Sequence, residues 1–295
     1  MSKVLVIGSS NIDIVYNVDR LPKLGETIAG SNINKLPGGK GLNQAVAASR
    51  VFNNTYFLGC FGNESSKAFF KDILDKENLN IENVKQGNLE AGTAIITVCD
   101  NDNTIIVIPS ANNEVDIDYI IKNISLFEKD TIVVLQNEIK QEVNEFIINY
   151  CYENNIKTIY NPAPARKINL DLIDKVTYFT PNETEAEFIF ENMNYNQIIE
   201  KYPNKVIITI GKDGVMYYDK ELINIKPSKV KVVDTTGAGD TLNGILAACI
   251  AENINLNTAL EIAVKGATKS VTKFGAQGGM PYRKDQQDEK TWDFE

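Results

Sequence analysis

The chain has 295 residues, 43% hydrophobic and 23% charged, which is enough apolar material for one large α/β domain or two modest ones. A net charge of −9 with no basic cluster excludes the positive footprint that nucleic acid demands, and no apolar run reaches membrane-spanning length. Histidine is absent, which removes His-dependent triads and His metal sites and turns base chemistry toward a carboxylate.

In chain order, Val4-Leu5-Val6-Ile7 reads as a buried strand closed by Gly8-Ser9-Ser10. Asn11 and Asp13 follow two apart, so an extended backbone turns both side chains to one side. That pair suits either recognition of sugar hydroxyls or turn chemistry. Residues 15–36 read as short strands and turns; Gly25 to Gly30 has P-loop spacing, but Ser31-Asn32 stands where Lys-Ser/Thr is required. In Pro37-Gly38-Gly39-Lys40-Gly41-Leu42-Asn43-Gln44, three glycines open an Ala-rich helix and let backbone N–H groups approach a ligand. Tyr56 to Gly62 is expected as a strand and Ser65 to Lys76 as an amphipathic helix. Thr93 to Cys99 and Thr104 to Ile108 are expected as a hairpin about Asp100–Asn103. With residues 15–36, that hairpin forms either a small separate sheet, a candidate lid, or an antiparallel edge of the main one.

From residue 131 the pattern becomes regular. Strands at Thr131–Gln136, Lys157–Tyr160, Thr177–Thr180 and Lys205–Ile210 alternate with helical stretches, which implies a mostly parallel sheet in a three-layer α-β-α fold. Asn11, Asp13, Glu138, Asn161, Asn182, Gly211 and Asp240 all follow strands at the carboxyl edge, where such sheets gather ligands.

The densest stretch is Asp234-Thr235-Thr236-Gly237-Ala238-Gly239-Asp240. It lies between Lys229–Val233, which reads as a strand, and a helix marked by Leu242, Ile245, Leu246, Cys249 and Ile250. A glycine turn opening a helix is an anion cradle. Asp240 at its mouth fits either a helix cap or a general base that takes a proton from an attacking hydroxyl. A last helix, Thr258 to Thr272, leads into a second glycine-rich loop at 275–281. Its carbonyls, with Asp234, suit a monovalent cation if the loop meets the first turn. The tail after Lys284 reads as polar and peripheral. Four scattered cysteines read as reduced thiols, and Met1-Ser2-Lys3 enters a strand directly, so a cytoplasmic protein is expected.

The sequence resembles the ribokinase branch of the carbohydrate kinases, which also include fructokinases and adenosine kinase. The resemblance runs from Val4 to about Arg283. It rests on Asn11-x-Asp13, Gly38-Gly39-Lys40-Gly41-x-Asn43, Asn161-Pro162-Ala163-Pro164-Ala165, Pro181-Asn182-Glu183-Thr184-Glu185, the 234–240 turn and Gly275-Ala276-Gln277. It implies a single ribokinase-like domain over 1–295, with a small β-sheet lid at about 12–36 and 91–109 that also joins a homodimer.

The activity implied is ATP-dependent phosphorylation of the 5-hydroxyl of D-ribose, with Asp240 as catalytic base and Gly237, Ala238 and Gly239 as the anion hole. The resemblance assigns Asn11, Asp13, Gly39, Lys40, Gly41, Asn43 and Glu138 to the sugar. It assigns Asn182, Thr209, Ile210, Gly211, Lys212, Asp213 and Gly214 to ATP, together with Gly239 and Asp240. Asn182 and Glu185 would organise Mg²⁺ through water, and Asp234, Thr236, Ser270, Lys273, Gly275 and Gly279 would hold an activating K⁺. Gly278-Gly279 departs from the small hydroxyl residue often found near the end of that loop. Rival readings are a sister kinase for 2-deoxyribose, fructose, a nucleoside or a sugar phosphate, and a non-catalytic sugar-binding homologue. The intact glycine turn and Asp240 speak against the latter.

Overall fold

Alternation along the first strand decides the layering. In β1 (Lys3–Ile7), Val4 and Val6 enter one apolar core while Leu5 and Ile7 enter another, so a helix layer is required on each face. The computed structural model describes residues 2–99, 102–283 and 292–294. After β1 come β2 (Asn11–Asn17), β3 (Ser31–Gly38), α1 (Lys40–Ser49), β4 (Thr55–Leu58), α2 (Glu64–Leu74) and β5 (Leu79–Asn80). Next are β6 (Gly92–Cys99), β7 (Asp102–Ile108), α3 (Ile117–Lys122), β8 (Thr131–Leu135), α4 (Gln141–Glu153) and β9 (Lys157–Tyr160). Then follow α5 (Asp171–Lys175), β10 (Tyr178–Phe179), α6 (Glu183–Ile189), α7 (Tyr195–Lys201) and β11 (Ile208–Thr209). The chain continues through β12 (Val215–Asp219), β13 (Glu221–Ile225), α8 (Ala238–Ala251) and α9 (Leu256–Ser270).

The central sheet has the order β10-β9-β8-β1-β4-β5 and every pairing in it is parallel. β8 repeats the logic of β1: Ile132 and Val134 face the core shared with α1, α8 and α9, and Val133 and Leu135 face the core of α4. Parallel bridges Phe179–Val206 and Asn182–Thr209 lead to the antiparallel β11-β12-β13 sheet. A separate four-stranded sheet, β3-β2-β6-β7, stands apart from the central one and leaves Ile33, Ile105, Ile106, Val107 and Ile108 exposed.

Two sequence expectations fail. Lys229–Val233 is not a strand: Val230, Val232 and Val233 are exposed, and the Val233 and Asp234 N–H groups both donate to the Val271 carbonyl past α9. The edge position is taken instead by β13, folded back on β12 through Lys220 at φ 64°. The end of the tail is also not peripheral. Trp292 and Phe294 are buried, with the Arg283 guanidinium 4.0 Å from the Trp292 ring centroid. Residues 284–291 lie outside the described residues. Two large apolar rings outweigh the polar composition around them.

The helices α1 and α8 touch almost backbone to backbone. Gly244 faces the Gln44 carbonyl, Ala47 Cβ and Ala48 N, and a Cβ placed there would lie 2.5 Å from the Gln44 oxygen. Gly244→Ala is therefore expected to force the helices apart and cost about 1–3 kcal/mol. The midpoint of chemical denaturation measures this, and an unchanged midpoint would mean the contact can relax.

Candidate active site

The close approach of α1 and α8 brings Asn43 and Gln44 to Asp240. The turn before α8 requires Gly237: its φ is 77° and an added Cβ would meet the Ala276 carbonyl at 2.6 Å. Gly237 is the helix N-cap and no side chain caps it, so Asp240 is in the first turn and does not cap the helix. Helix geometry leaves the N–H groups of Gly237, Gly239 and Asp240 without intrahelical acceptors. The Asp240 carboxylate, 6% exposed, accepts from two amides instead: Asn43 Nδ2 to Oδ2 at 3.1 Å and Gln44 Nε2 to Oδ1 at 3.0 Å.

A cleft of about 420 Å³ opens over this turn. Its walls include Lys40, Asn182, Glu185, Thr209 and Gly211, besides Gly237, Ala238, Gly239 and Asp240. Asn182 and Glu185 form the capping box of α6, with the Asn182 N–H donating to Glu185 Oε2 at 2.8 Å and the Glu185 N–H to Asn182 Oδ1 at 2.8 Å. Burial pushes the Glu185 carboxyl up despite the Asn182 hydrogen bond and the Lys40 charge. Ile210, Lys212 and Asp213 belong to a short turn beside the cleft, and Gly214 packs on the Ile225 carbonyl.

On the other side of Asp240 lie the residues expected to meet a polyol. β2 carries Asn11 and Asp13, α1 begins at Lys40, and Glu138 follows β8. Glu138 Oε2 accepts from Ser9 Oγ and from the Lys40 N–H. Gly39, at φ 88°, packs against Ser10 and the Asn11 N–H, and Gly41 against the Gly8-Ser9 backbone. Asn11 is held by Asn112, whose Nδ2 donates to Asn11 Oδ1 at 2.8 Å and whose Oδ1 accepts from the Ser10 N–H at 3.0 Å.

Asp13 differs from its neighbours because its Oδ1 is buried with no hydrogen-bond partner. Burial, then the charges of Glu138 and Asp240, push its carboxyl up to about 7, against the opposing pull of Lys40. Burial alone would depress the Lys40 ammonium, but Asp240, Glu138, Glu185 and Asp13 outweigh it and hold it above its ordinary value. An orphaned carboxylate oxygen in a polar pocket fits a hydroxyl donor.

Behind the turn, the two glycine-rich loops meet. Asp234 Oδ1 accepts from the Thr236 N–H and hydroxyl at 2.9 and 2.6 Å, and Oδ2 accepts from the Gly275 N–H at 2.9 Å. Burial would raise this carboxyl, but those hydrogen bonds outweigh it and hold it low. Gly279 packs on the Ser270 carbonyl at the end of α9, and Lys273 is exposed between them. Arg50 donates to the Gln277 and Met280 carbonyls at 2.7 and 2.9 Å. The loops bring the Asp234 carboxylate beside the Gly275 backbone, and a monovalent cation there would take backbone carbonyls as its further ligands. Among the described residues, no three acidic, Cys or His side chains cluster to hold a metal ion alone.

Sequence reasoning passed over Gln44, Gln136, Asn112 and Asn243 as working groups. Each is a buried amide. A glutamine in an otherwise small, apolar helix was the signal available for Gln44.

Known proteins resemble this chain in sequence and in structure. The signature of the pfkB family carbohydrate kinases matches residues 1–283. The ribokinase of Lactococcus lactis is 46% identical over 286 residues, covering 95% of this chain and 94% of that protein. The crystal structure of Thermotoga maritima ribokinase matches with a TM-score of 0.85 at 34% identity, covering 96% of this chain and 97% of that one. Arabidopsis thaliana ribokinase, solved with ribose and ATP, matches with a TM-score of 0.84 at 27% identity, over 95% and 96% of the two chains.

The raised Asp13 carboxyl has a thermodynamic consequence. The folded state holds its proton up to about pH 7 while the unfolded chain releases it near 3.8, so the contribution is fully present below 3.8 and is lost as pH rises through 7. Asp13→Asn is expected to remove that loss and be the more stable protein at pH 8 by on the order of a few kcal/mol. Thermal melts of both proteins from pH 5 to 8.5 test it. Parallel curves would mean Asp13 is not the raised group.

Proposed function

The chain belongs to the pfkB family of carbohydrate kinases, within its ribokinase branch, and from that premise we propose that this ATP-dependent sugar kinase phosphorylates the 5-hydroxyl of D-ribose. The observation that carries the reading is the position of Asp240. It is a buried carboxylate in the first turn of α8 that lines the nucleotide-sized cleft and lies within the field of Asp13, whose buried oxygen has no hydrogen-bond partner. Asn11, Asp13, Asn43 and Glu138, with the Gly39–Gly41 backbone, orient the sugar so that its primary hydroxyl faces Asp240. Asp240 takes that proton as the oxygen attacks.

ATP supplies the phosphoryl group, with Mg²⁺ neutralising its oxygens. The N–H groups of Gly237 and Gly239 favour charge developing on the transferred group, with the positive end of the α8 dipole behind them; the Ala238 N–H, expected as a third donor, is spent on the Thr235 carbonyl at 3.3 Å. Lys40, on the cleft wall, adds a positive charge within the fields of both Asp240 and Asp13. Asn182 and Glu185 hydrogen-bond to each other, so they would meet the metal through water. Thr209 and Gly211 wall the nucleotide side, with Ile210, Lys212, Asp213 and Gly214 supporting that turn.

K⁺ would sit among the carbonyls of Thr236, Ser270, Lys273, Gly275 and Gly279 beside Asp234, and would stiffen the loops that hold Gly237 in place. The β3-β2-β6-β7 sheet would act as a lid, because β2 carries Asn11 and Asp13 directly into the sugar pocket. Its exposed Ile33 and Ile105–Ile108 favour pairing with a second copy. ATP supply fits a cytoplasmic setting, and no helix among the described residues is long and apolar enough to cross a membrane.

A coupled ADP-release assay tests the reading with D-ribose, 2-deoxyribose, fructose, adenosine and fructose 6-phosphate, each with and without K⁺. Turnover is expected on D-ribose and should rise with K⁺. Asp240→Asn should lower kcat by about 10²–10⁴. Preference for another acceptor would discard the sugar assignment, and near-parental kcat in Asp240→Asn would discard the base.

A further inference from the structure

Gln44 is fully buried, does not line the cleft, and spends every polar atom behind Asp240. Its Nε2 donates to Asp240 Oδ1 at 3.0 Å and to Asn161 Oδ1 at 3.1 Å, and its Oε1 accepts from Gln136 Nε2 at 2.7 Å. The orientation of the amide is fixed. Asn161 uses its own Nδ2 on the Thr180 carbonyl at 2.8 Å, so it presents oxygen to Gln44, and Asp240 can only accept. Gln44 is thus anchored on the ends of two central strands, β8 through Gln136 and β9 through Asn161.

We propose that Gln44 is a positioning residue for phosphoryl transfer, fixing the Asp240 carboxylate in one orientation and favouring its proton-accepting form. The proposal rests on the reading of Asp240 as the base. Burying a carboxylate favours its neutral form, whereas a hydrogen bond donated to the carboxylate favours the ionised one. A neutral amide does this without the full positive charge of Lys or Arg, which would weaken Asp240 as a base. The second oxygen is held by Asn43, itself anchored by Gln277 Nε2 at 2.9 Å to Asn43 Oδ1. The charged groups acting around this carboxylate are Lys40 on α1, Asp13 on β2, Glu185 on α6 and Glu138 after β8. None of them hydrogen-bonds to Gln44, so a difference in pH response reports on Gln44.

The test is the pH dependence of kcat at saturating sugar and ATP for the parent, Gln44→Glu, Gln136→Leu and Asp240→Asn. Gln44→Glu nearly preserves volume but puts a second carboxyl against Asp240 Oδ1. The acid limb should move up by about one pH unit or more, with kcat at pH 7 falling at least about tenfold and KM values changing little. Gln136→Leu removes only the anchor and should shift the limb the same way by less; it decides the matter alone if Gln44→Glu does not fold. A purely structural role would lower Tm and leave the limb where it is in the parent. Unmoved limbs in an active parent with a dead Asp240→Asn variant would overturn the role of Gln44 alone. Normal turnover by Asp240→Asn would overturn the base reading beneath it.

Discussion

A carboxylate removed from water must find hydrogen-bond donors, and Asp240 finds one for each oxygen. Much of the surrounding architecture follows from that requirement. Both donors stand on α1, so α1 and α8 must approach closely, which Gly244 opposite Ala47 and Ala48 permits. Each donor must itself be held, so Gln44 reaches to the ends of β8 and β9 and Asn43 to the C-terminal loop. The glycine turn must then bend sharply enough to start the helix two residues before Asp240, which Gly237 at the N-cap allows.

The charges around the site have the same economy. Lys40 stands within the field of four carboxylates, Asp13, Glu138, Glu185 and Asp240. Three of them have their hydrogen bonds fixed by the fold: Glu138 by Ser9 and the Lys40 N–H, Glu185 by its capping box, and Asp240 by Asn43 and Gln44. The fourth, Asp13, keeps a buried oxygen without a partner. An anionic nucleotide entering a site with more carboxylates than ammonium groups needs positive help from elsewhere. The α8 dipole provides part of it and the proposed Mg²⁺ the rest.

How much could be read from the sequence followed the range of each interaction. The glycine turn, the two opposed cores and the parallel sheet were legible because each depends on residues close in sequence: positive-φ glycines, alternating strand positions, and strand–helix repeats. The Lys229–Val233 stretch misled because apolar alternation marks a strand only where another strand can pair with it, and its valines face solvent. Trp292 and Phe294 misled in the opposite sense, since a polar stretch hid two rings that pack into the core. The Gln136–Gln44–Asp240 and Gln277–Asn43–Asp240 chains were not legible, because their partners are 92 to 234 residues apart and no local period announces them.

Those separations also order events during synthesis. The β1, β4 and β8 strands can pair as the first half of the chain emerges, since their hydrogen bonds need nothing downstream. Asn43 cannot receive its Gln277 donor, nor Gly237 its Ala276 contact, until the C-terminal loop has been translated. A nascent chain can therefore pair its central strands before it has a phosphoryl-transfer centre or the α8 and α9 helices that cover one face of the sheet. A partly made copy lacks the ordered carboxylate and anion cradle that would let it spend nucleotide.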